Sequence, residues 1–218
     1  VCSSDLEYND RQVFAYHVYC PLQDPTVKSE VACDVINAEF FAMRQKDASR
    51  LGVGMIMTEF GASEDVKGDM YALGKTSNIM DEHQQSWLYW QFKYYQDITT
   101  CTPEGESLYQ GDGEVCQDKL DVLSRTYPHA VAGQLTDFKF DTHSGRFNMH
   151  MVPLSVMPAD DVSAVARTSD IYVNLQQSYP HGVNVEVSGA SAALMSVVCP
   201  AAGANGAAPA GGLVQLVQ

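Results

Sequence analysis

The ten residues VGMIMTEFGA, at positions 53–62, place an acid at the end of an apolar run that suits a buried strand. A carboxylate such as Glu59 is costly to remove from water unless it is paired or used. Gly61 follows almost at once, so we expect the strand to end there in a turn. A chain with this feature must provide a partner for Glu59 or hold it where a charge is needed.

The composition is that of a globular protein, and it excludes several classes of partner. The chain has 218 residues, of which 45% are hydrophobic and 18% charged. Its formal net charge of −14 argues against nucleic acid as a partner and predicts repulsion from an anionic membrane surface. No apolar run approaches the ~20 residues of a membrane span. A chain of this length can form one large domain or two small ones.

The cysteines and histidines show no metal-ligand spacing, so we expect no metal site. We expect no other cofactor. The six cysteines are Cys2, Cys20, Cys33, Cys101, Cys116 and Cys199. Their even number and wide spacing are compatible with disulfides in an oxidising compartment, with Cys20–Cys33 and Cys101–Cys116 as the first pairs to test. Buried free thiols are the alternative. We expect a secreted or lumenal protein, either extracellular or lysosome-like.

Strands and helices alternate in the first 132 residues. The predicted strands are 12–20, 53–59 and 86–93, and the predicted helices are 29–52, one ending at 81–85 and one stopped near Pro128. The second strand is apolar on both faces, as a parallel strand covered by helices requires. This order predicts an α/β unit with right-handed crossovers.

The pattern changes after Gly133 to short strands in which apolar and polar residues alternate. The alternating segments are 137–152, 170–175 and 183–189. They predict half-buried antiparallel strands joined by turns, and hence a small β-sandwich at 133–200. Residues 201–218 are expected to be a low-complexity tail or a final edge strand. The predicted fold class is therefore α/β plus all-β, with a domain boundary at 132/133.

Polar and aromatic residues end each of the three predicted parallel strands. His17 and Tyr19 end the first strand, Glu59 the second, and Trp87 and Trp90 the third. In a (β/α)8 barrel the C-terminal ends of the strands carry the active site. There, the hydroxyl of Tyr19 could donate a hydrogen bond to Glu59 and keep it ionised and oriented, as a nucleophile requires. A tryptophan face suits the apolar C–H face of a sugar ring.

These residues also have ordinary structural explanations. Glu59 could cap a turn or pair with a nearby lysine or arginine, and His17 could be a core histidine. Trp87 fits a core position better than a ligand site.

Four segments, taken in order, resemble glycoside hydrolase family 5, and most closely its endoglycoceramidase and glucosylceramidase-like branch. The segments are YHVY at 16–19, TEFG at 58–61, SWLYWQFK at 86–93 and LSRTYPHAVAG at 123–133. The resemblance covers roughly residues 12–190. It implies that residues 1–132 form strands six to eight of a (β/α)8 TIM barrel, with a β-sandwich domain at 133–200.

The resemblance implies a retaining β-glycosidase that acts on glycosphingolipids, in which a glycan is joined to ceramide. By position, Glu59 matches the nucleophile, and His17 and Tyr19 match residues that line the sugar subsite. Trp90, with Trp87 as the fallback, matches the tryptophan that stacks on the sugar. A glycolipid or oligosaccharide substrate and a peripheral contact with a lipid surface would follow from this activity.

One part of the family's pattern is missing from these 218 residues. A retaining glycosidase needs a second carboxyl group about 5–5.5 Å from the nucleophile, and the family's Asn-Glu pair that supplies it does not occur here. We therefore expect an incomplete part that lacks the acid/base half and is inactive alone. The alternative is a non-catalytic glycan- or lipid-binding protein that retains half a barrel and the sandwich.

Overall fold

The computed structural model describes residues 11–19, 30–63, 67–95, 106–153, 167–189, 196–198 and 212–217. The chain divides into two compact units, Val1–Leu123 and Ser124–Gln218. The division falls before the predicted boundary at 132/133, because the segment Tyr127–Ala130 pairs within the second unit. None of the described helices is long and apolar enough to cross a membrane.

The first unit is a parallel sheet whose strands alternate with helices. Its strands are β1 (Val13–Val18), β2 (Gly54–Gly61) and β3 (Trp87–Trp90), in the order β1-β2-β3. Its helices are α1 (Glu30–Leu51), α2 (Lys67–Glu82) and α3 (Gln117–Leu123). The predicted alternation and the parallel pairing are confirmed. The third helix ends before the predicted stop near Pro128, and β3 is shorter than the predicted 86–93.

The core of the first unit lies between the sheet and the helices α1 and α2. Met57 and Phe60 of β2 are at most 1% exposed, and they pack with Phe41 of α1 and with Leu73 and Met80 of α2. Burial of apolar side chains on this scale is the main favourable contribution to folding. Strand β2 is therefore stabilised by its pairing with β1 and β3 and by packing against the helices α1 and α2.

Helix α1 ends as the sequence predicts, but three of the apolar residues that recur along it at helical spacing are exposed. Gly52 follows the last helical residue with φ of +68°, the left-handed conformation that glycine adopts at helix ends. Val35, Phe40 and Met43 recur at helical spacing, yet they are 52%, 44% and 48% exposed. Phe41 faces the core instead, so α1 has an exposed apolar face within this chain.

The second unit contains a four-stranded antiparallel sheet and a two-stranded hairpin. The sheet strands are β4 (Tyr127–Ala130), β7 (Thr168–Val173), β8 (Ser196–Val198) and β9 (Gly212–Val217), and the hairpin strands are β5 (Gly133–Asp141) and β6 (Arg146–Pro153). The sheet order is β4-β7-β9-β8. Phe147 and Met149 of β6 pack against the buried residues of the four-stranded sheet.

Two predictions for the second unit are wrong in detail. Residues 212–217 are neither tail nor edge strand, because β9 pairs with both β7 and β8. The segment 183–189 forms no strand, although Val183, Val185 and Val187 still pack against the buried residues of the sheet. Alternation of apolar residues therefore indicated burial correctly but did not indicate which segments form ladder hydrogen bonds. The predicted disulfide partners Cys20 and Cys101 lie outside the described residues.

Candidate active site

An irregularity in β2 decides where the side chain of Glu59 lies. In the pairing of β1 with β2, Tyr16 lies opposite Met57, but the next residue, His17, lies opposite Glu59. The extra residue on β2 is Thr58, so the strand contains a β-bulge, and the pairing of β2 with β3 shifts over the same residues. A bulge changes which face the following side chains occupy. Met57 and Phe60 can therefore both enter the core although they are three residues apart.

The bulge brings Glu59 into contact with two side chains from the end of β1. The hydroxyl of Tyr19 donates a hydrogen bond of 2.9 Å to Oε2 of Glu59. Nδ1 of His17 lies 3.3 Å from the same oxygen, an ion pair whenever the imidazole is protonated. The Glu59 side chain is 29% exposed and that of His17 is 51% exposed, so the group is open to a ligand. Glu59 is thus a partly buried carboxylate oriented through one of its two oxygens.

Tyr19 is a hydrogen-bond donor in this arrangement, because several effects keep its hydroxyl protonated. Partial burial raises the pKa of Tyr19 most, and the hydrogen bond to Glu59 and that residue's negative charge raise it further. The charge of Glu106 and the neighbouring phenol of Tyr89 act in the same direction. In the 2.9 Å hydrogen bond the proton therefore stays on the Tyr19 hydroxyl, which is the donor, and Oε2 of Glu59 is the acceptor.

Gly61 allows β3 to approach the end of β2 closely. Its φ is +121°, and a Cβ atom there would collide with the ring of Tyr89 and would lie 2.6 Å from the carbonyl oxygen of Trp90. The same carbonyl accepts a hydrogen bond of 2.9 Å from the amide of Ala62. Only glycine fits both the backbone conformation and the space. The turn after Glu59 is therefore held directly against β3.

The structure separates the two tryptophans of β3. Trp87 packs edge-on against Phe60, with ring centroids 5.2 Å apart, and so belongs to the core. Trp90 is 39% exposed and lies opposite Gly61 at the same end of the sheet as Glu59. Of the predicted site residues, Glu59, His17 and Tyr19 are therefore in contact, and Trp90 stands at the neighbouring strand end. The roles assigned to them remain predictions.

Sequence reasoning missed Tyr89, Gln91 and Glu106, which are joined by hydrogen bonds at the end of β3. Tyr89 donates a hydrogen bond of 2.8 Å to the backbone carbonyl of Glu106. Gln91 and Glu106 are only 6% and 7% exposed. The alternation of β3 could have drawn attention to Tyr89, whereas no local pattern distinguishes Glu106 from the other acids of its loop. Among the described residues, no cluster of three or more His, Cys, Asp or Glu side chains could hold a metal ion.

The sequence of the chain is similar to a family of known enzymes. Residues 125–202 match the family model described as the glycoside hydrolase family 5 C-terminal domain. The endoglycoceramidase of Cyanea nozakii is 30% identical over 187 residues, an alignment that covers 83% of this chain and 32% of that protein. The resemblance inferred from the four sequence segments is thereby confirmed.

Solved structures share the fold of the chain. Endo-glycoceramidase II from Rhodococcus sp., solved as its ganglioside GM3 complex, matches with a TM-score of 0.63 at 20% identity, covering 94% of this chain and 42% of that chain. The same enzyme solved as a lactosyl-enzyme intermediate gives a TM-score of 0.58 at 21% identity, covering 94% and 41%. At this level of identity the likeness shows a common fold.

The matches cover most of this chain but a minority of its relatives. The chain spans 32%, 31% and 23% of the length of the three curated relatives it matches, all of them endoglycoceramidases. A site of the whole relative can therefore include groups that have no counterpart in these 218 residues.

Proposed function

We propose that this chain is part of a retaining β-glycosidase whose nucleophile is Glu59, because its sequence is similar to that of an endoglycoceramidase and residues 125–202 match the glycoside hydrolase family 5 C-terminal domain. The observation that carries this proposal is the hydrogen bond of 2.9 Å from Tyr19 to Glu59 at the C-terminal end of a buried parallel strand. A carboxylate nucleophile must be held in a fixed orientation, and a protonated phenol is a suitable donor for that purpose.

The remaining residues take roles around Glu59. The partly exposed indole of Trp90 offers a flat apolar face to a sugar ring at the end of the neighbouring strand. His17 contacts Oε2 of Glu59 and is exposed enough to reach a sugar hydroxyl as well. In the glycosylation step, Glu59 attacks the anomeric carbon, the bond to the aglycone oxygen breaks, and a second carboxyl group gives that oxygen its proton. We assign that second carboxyl group to a part of the enzyme outside these 218 residues.

The first unit is proposed to be three strands of a (β/α)8 barrel. In such a barrel the sheet closes on itself and helices cover its outside. The sheet here has only three strands, and the apolar residues Val35, Phe40 and Met43 of α1 are exposed. Apolar surface of this kind is usually covered by further structure. Additional strand and helix pairs beside β1 and α1 would cover it.

A glycosphingolipid is the proposed substrate class. The relatives support it by name, since they are endoglycoceramidases, and Rhodococcus endo-glycoceramidase II has been solved as a ganglioside GM3 complex. Hydrolysis would release the glycan from the ceramide by cleaving the O-glycosyl bond. The secreted or lumenal location expected from the cysteines accompanies this proposal and stays a prediction.

The test is to label the nucleophile in the complete protein. A 2-fluoro-glycoside of the substrate sugar slows breakdown of the covalent intermediate, so the peptide containing Glu59 should carry the sugar after digestion and mass spectrometry. Glu59→Gln should abolish labelling and reduce turnover by several orders of magnitude, because an amide cannot form the ester. Tyr19 can still donate to the amide oxygen, so folding should be little changed.

The matched control is Glu82→Gln, an exposed acid at the end of α2, toward the opposite end of the sheet from Glu59. This variant should be labelled as fast as the unaltered protein. Labelling of a different acidic residue would overturn the assignment of Glu59. Binding of glycolipid without any turnover or labelling would instead support a non-catalytic binding protein.

A further inference from the structure

The outer face of the four-stranded sheet in the second unit carries a row of apolar side chains. The strand register places Tyr127 of β4, Tyr172 of β7 and Leu213 of β9 side by side in this row. Their chain neighbours Ile171 and Val214 are buried in the core of the unit, so the row lies on the opposite face of the sheet. Tyr127 is 40% exposed and Leu213 is 39% exposed. The row is therefore apolar surface that a ligand can reach.

The two tyrosines of this row form a flat aromatic platform. Their rings are stacked, with centroids 5.1 Å apart and an angle of 29° between the ring planes. Pairing of aromatic residues across neighbouring strands stabilises a sheet, and this effect alone could account for the stack. It does not account for Leu213, which extends the exposed apolar row onto the next strand. Contiguous apolar surface with polar groups at its border is typical of binding sites.

A hydrogen-bonded polar pair borders the platform. Asp170 lies two residues from Tyr172 on β7, and Gln215 lies opposite it on β9. Nε2 of Gln215 donates a hydrogen bond of 2.9 Å to Oδ1 of Asp170. This bond orients both side chains but uses one carboxylate oxygen and one amide hydrogen, whereas each group can form several hydrogen bonds. The pair therefore presents oriented acceptors and a donor beside an aromatic surface.

A sugar ring matches this combination of groups. The C–H face of a sugar is apolar and suits an aromatic ring, and the hydroxyl groups around its edge donate and accept hydrogen bonds. Residues two apart on one face of a strand are separated by about 7 Å. A sugar that lies over Tyr172 can therefore direct its hydroxyl groups toward Asp170 and Gln215.

Charge narrows the class of ligand. The two rows of side chains, which also include Ala130 and Val198, contain one carboxylate and no basic residue as the structure describes them. The chain as a whole has a formal net charge of −14. An anionic ligand would be repelled by Asp170 and by this overall charge. The face is therefore complementary to an uncharged sugar.

We propose that this face is an accessory sugar site, which binds a neutral hexopyranose unit of an oligosaccharide through Tyr127, Tyr172, Leu213, Asp170 and Gln215. The site lies wholly within the second unit and includes none of the residues assigned to the reaction. It involves no covalent step and does not rest on the proposed function. In an enzyme, a second sugar site of this kind increases the effective concentration of glycan-bearing substrate without taking part in the reaction.

The test places 3-fluorotyrosine at position 172 of the complete protein and follows its 19F NMR signal during titration with lactose, a neutral disaccharide. A probe on the platform reports contact with sugar there, and it requires no turnover. The signal should shift and saturate. Tyr127→Ala should raise the Kd about tenfold, because half of the platform is lost. Gln215→Ala should raise it about fivefold, because a hydrogen-bonding group is lost.

Two comparisons make the test specific. Gln176→Ala is the matched control for Gln215→Ala, since Gln176 is an exposed glutamine in the turn after β7, outside this face. This variant should leave the Kd for lactose unchanged. Sialyllactose, which adds a carboxylate to the same disaccharide, should bind more weakly than lactose. Asp170→Asn should reduce the difference between the two sugars, because it removes the repelling charge.

Several results would overturn the proposal. One is the absence of a saturable shift with lactose, and another is an unchanged Kd in Tyr127→Ala. A shift on dilution of the protein without sugar would assign the face to contact between copies of the chain. A shift with phosphatidylcholine vesicles but not with lactose would assign it to a lipid surface. If Tyr127→Ala does not fold, Gln215→Ala decides alone, and an unchanged Kd there overturns the proposal too.

Discussion

The hydroxyl of Tyr19 donates a hydrogen bond of 2.9 Å to Oε2 of Glu59, across 40 positions of sequence. Two features make this contact: the parallel pairing of β1 with β2, and the bulge that aligns Glu59 with His17. Main-chain pairing thus brings the acid and the phenol together, and burial keeps the phenol protonated.

Tyr19→Phe should reduce kcat of the complete protein while leaving the fold intact. The change removes a hydrogen bond to a charged acceptor, which is worth about 1.5–3 kcal/mol. A loss of that size at the transition state corresponds to a fall in kcat of roughly tenfold to a hundredfold. Steady-state kinetics and circular dichroism measure the two quantities.

The control for Tyr19→Phe is Tyr71→Phe, because Tyr71 also donates to a carboxylate, Oδ2 of Asp34, at 3.1 Å. That pair is exposed and joins α2 to α1, so kcat should not change. Equal kinetics for both variants would show that the hydrogen bond to Glu59 has no catalytic importance.

Replacing the two tryptophans of β3 should have opposite effects. Trp90→Ala should raise KM by roughly tenfold, because losing the contact with the sugar costs about 1.4 kcal/mol of binding free energy. The free energy of unfolding should change little. Trp87→Ala removes the ring that packs on Phe60, so the free energy of unfolding should fall by on the order of 3 kcal/mol. Urea titrations and KM values for both variants make the comparison. An unchanged KM in Trp90→Ala would exclude stacking of sugar on that residue.

Gly61→Ala should destabilise the first unit and disturb the site. The new Cβ would need a strained φ of +121° and would meet the ring of Tyr89 and the carbonyl of Trp90. Backbone strain alone costs about 1–3 kcal/mol, and the collision adds to it. Urea denaturation measures the loss of unfolding free energy.

Two further alanine variants separate the causes of the Gly61→Ala effect. Gly113 has a φ of +90°, and no atom lies within 4 Å of the position that a Cβ would take. Gly113→Ala should therefore show the cost of backbone strain without a collision. Gly54→Ala has neither feature and should be close to neutral. Similar losses of unfolding free energy in Gly61→Ala and Gly113→Ala would mean that the collision with Tyr89 contributes nothing to the destabilisation.

Stability of the first unit should decrease as the pH rises above 10. Burial raises the pKa of Tyr16, Tyr19 and Tyr89 from the ordinary value of 10.0. The unfolded chain therefore releases these protons first, and the stability present below pH 10 is lost as the pH rises toward the folded-state values. Tyr89→Phe should reduce the slope of unfolding free energy against pH, by at most about 1.4 kcal/mol per unit.

Urea titrations at a series of alkaline pH values measure that slope. Tyr71→Phe removes the hydroxyl of an exposed tyrosine and is the control for the loss of a phenol as such. Parallel curves for Tyr89→Phe and the unaltered protein would contradict the assignment of a buried, protonated phenol.

Val214→Ala should destabilise the second unit, because Val214 lies in the interior strand β9 and is 2% exposed. Removing two buried methyl groups should lower the free energy of unfolding by about 1.5–3 kcal/mol. Val198→Ala is the control on the edge strand β8, where the side chain is 48% exposed, and it should change stability by less than about 0.5 kcal/mol. Equal losses of unfolding free energy in the two variants would contradict the interior position of β9.

The comparison of sequence and structure shows where local patterns were sufficient. The strand β2 and its acid, the helix end at Gly52 and the β5–β6 hairpin all follow from residues close together in the chain. Pairing of Tyr19 with Glu59 was predictable as well, because the C-terminal ends of neighbouring parallel strands meet at one edge of a sheet.

Other features could not be predicted, because they depend on segments far apart in sequence. Local alternation did not reveal that β9 lies between β7 and β8, since strand order depends on which segments meet after folding. Likewise, the spacing of Val35 and Phe40 predicted a helix, but only packing selected Phe41 as the residue of α1 that enters the core.

The sequence by itself determined the α/β alternation, the identity of the strand-end acid and the family likeness, because periodicity and short motifs are properties of neighbouring residues. Only the tertiary structure decided that Thr58 forms a bulge, that His17 contacts the same oxygen of Glu59 as Tyr19 does, and that the loop acid Glu106 is buried. The physical reason is that register and burial are set by the packing of whole strands and helices. A carboxylate acquires its partners and its surroundings only when that packing is complete.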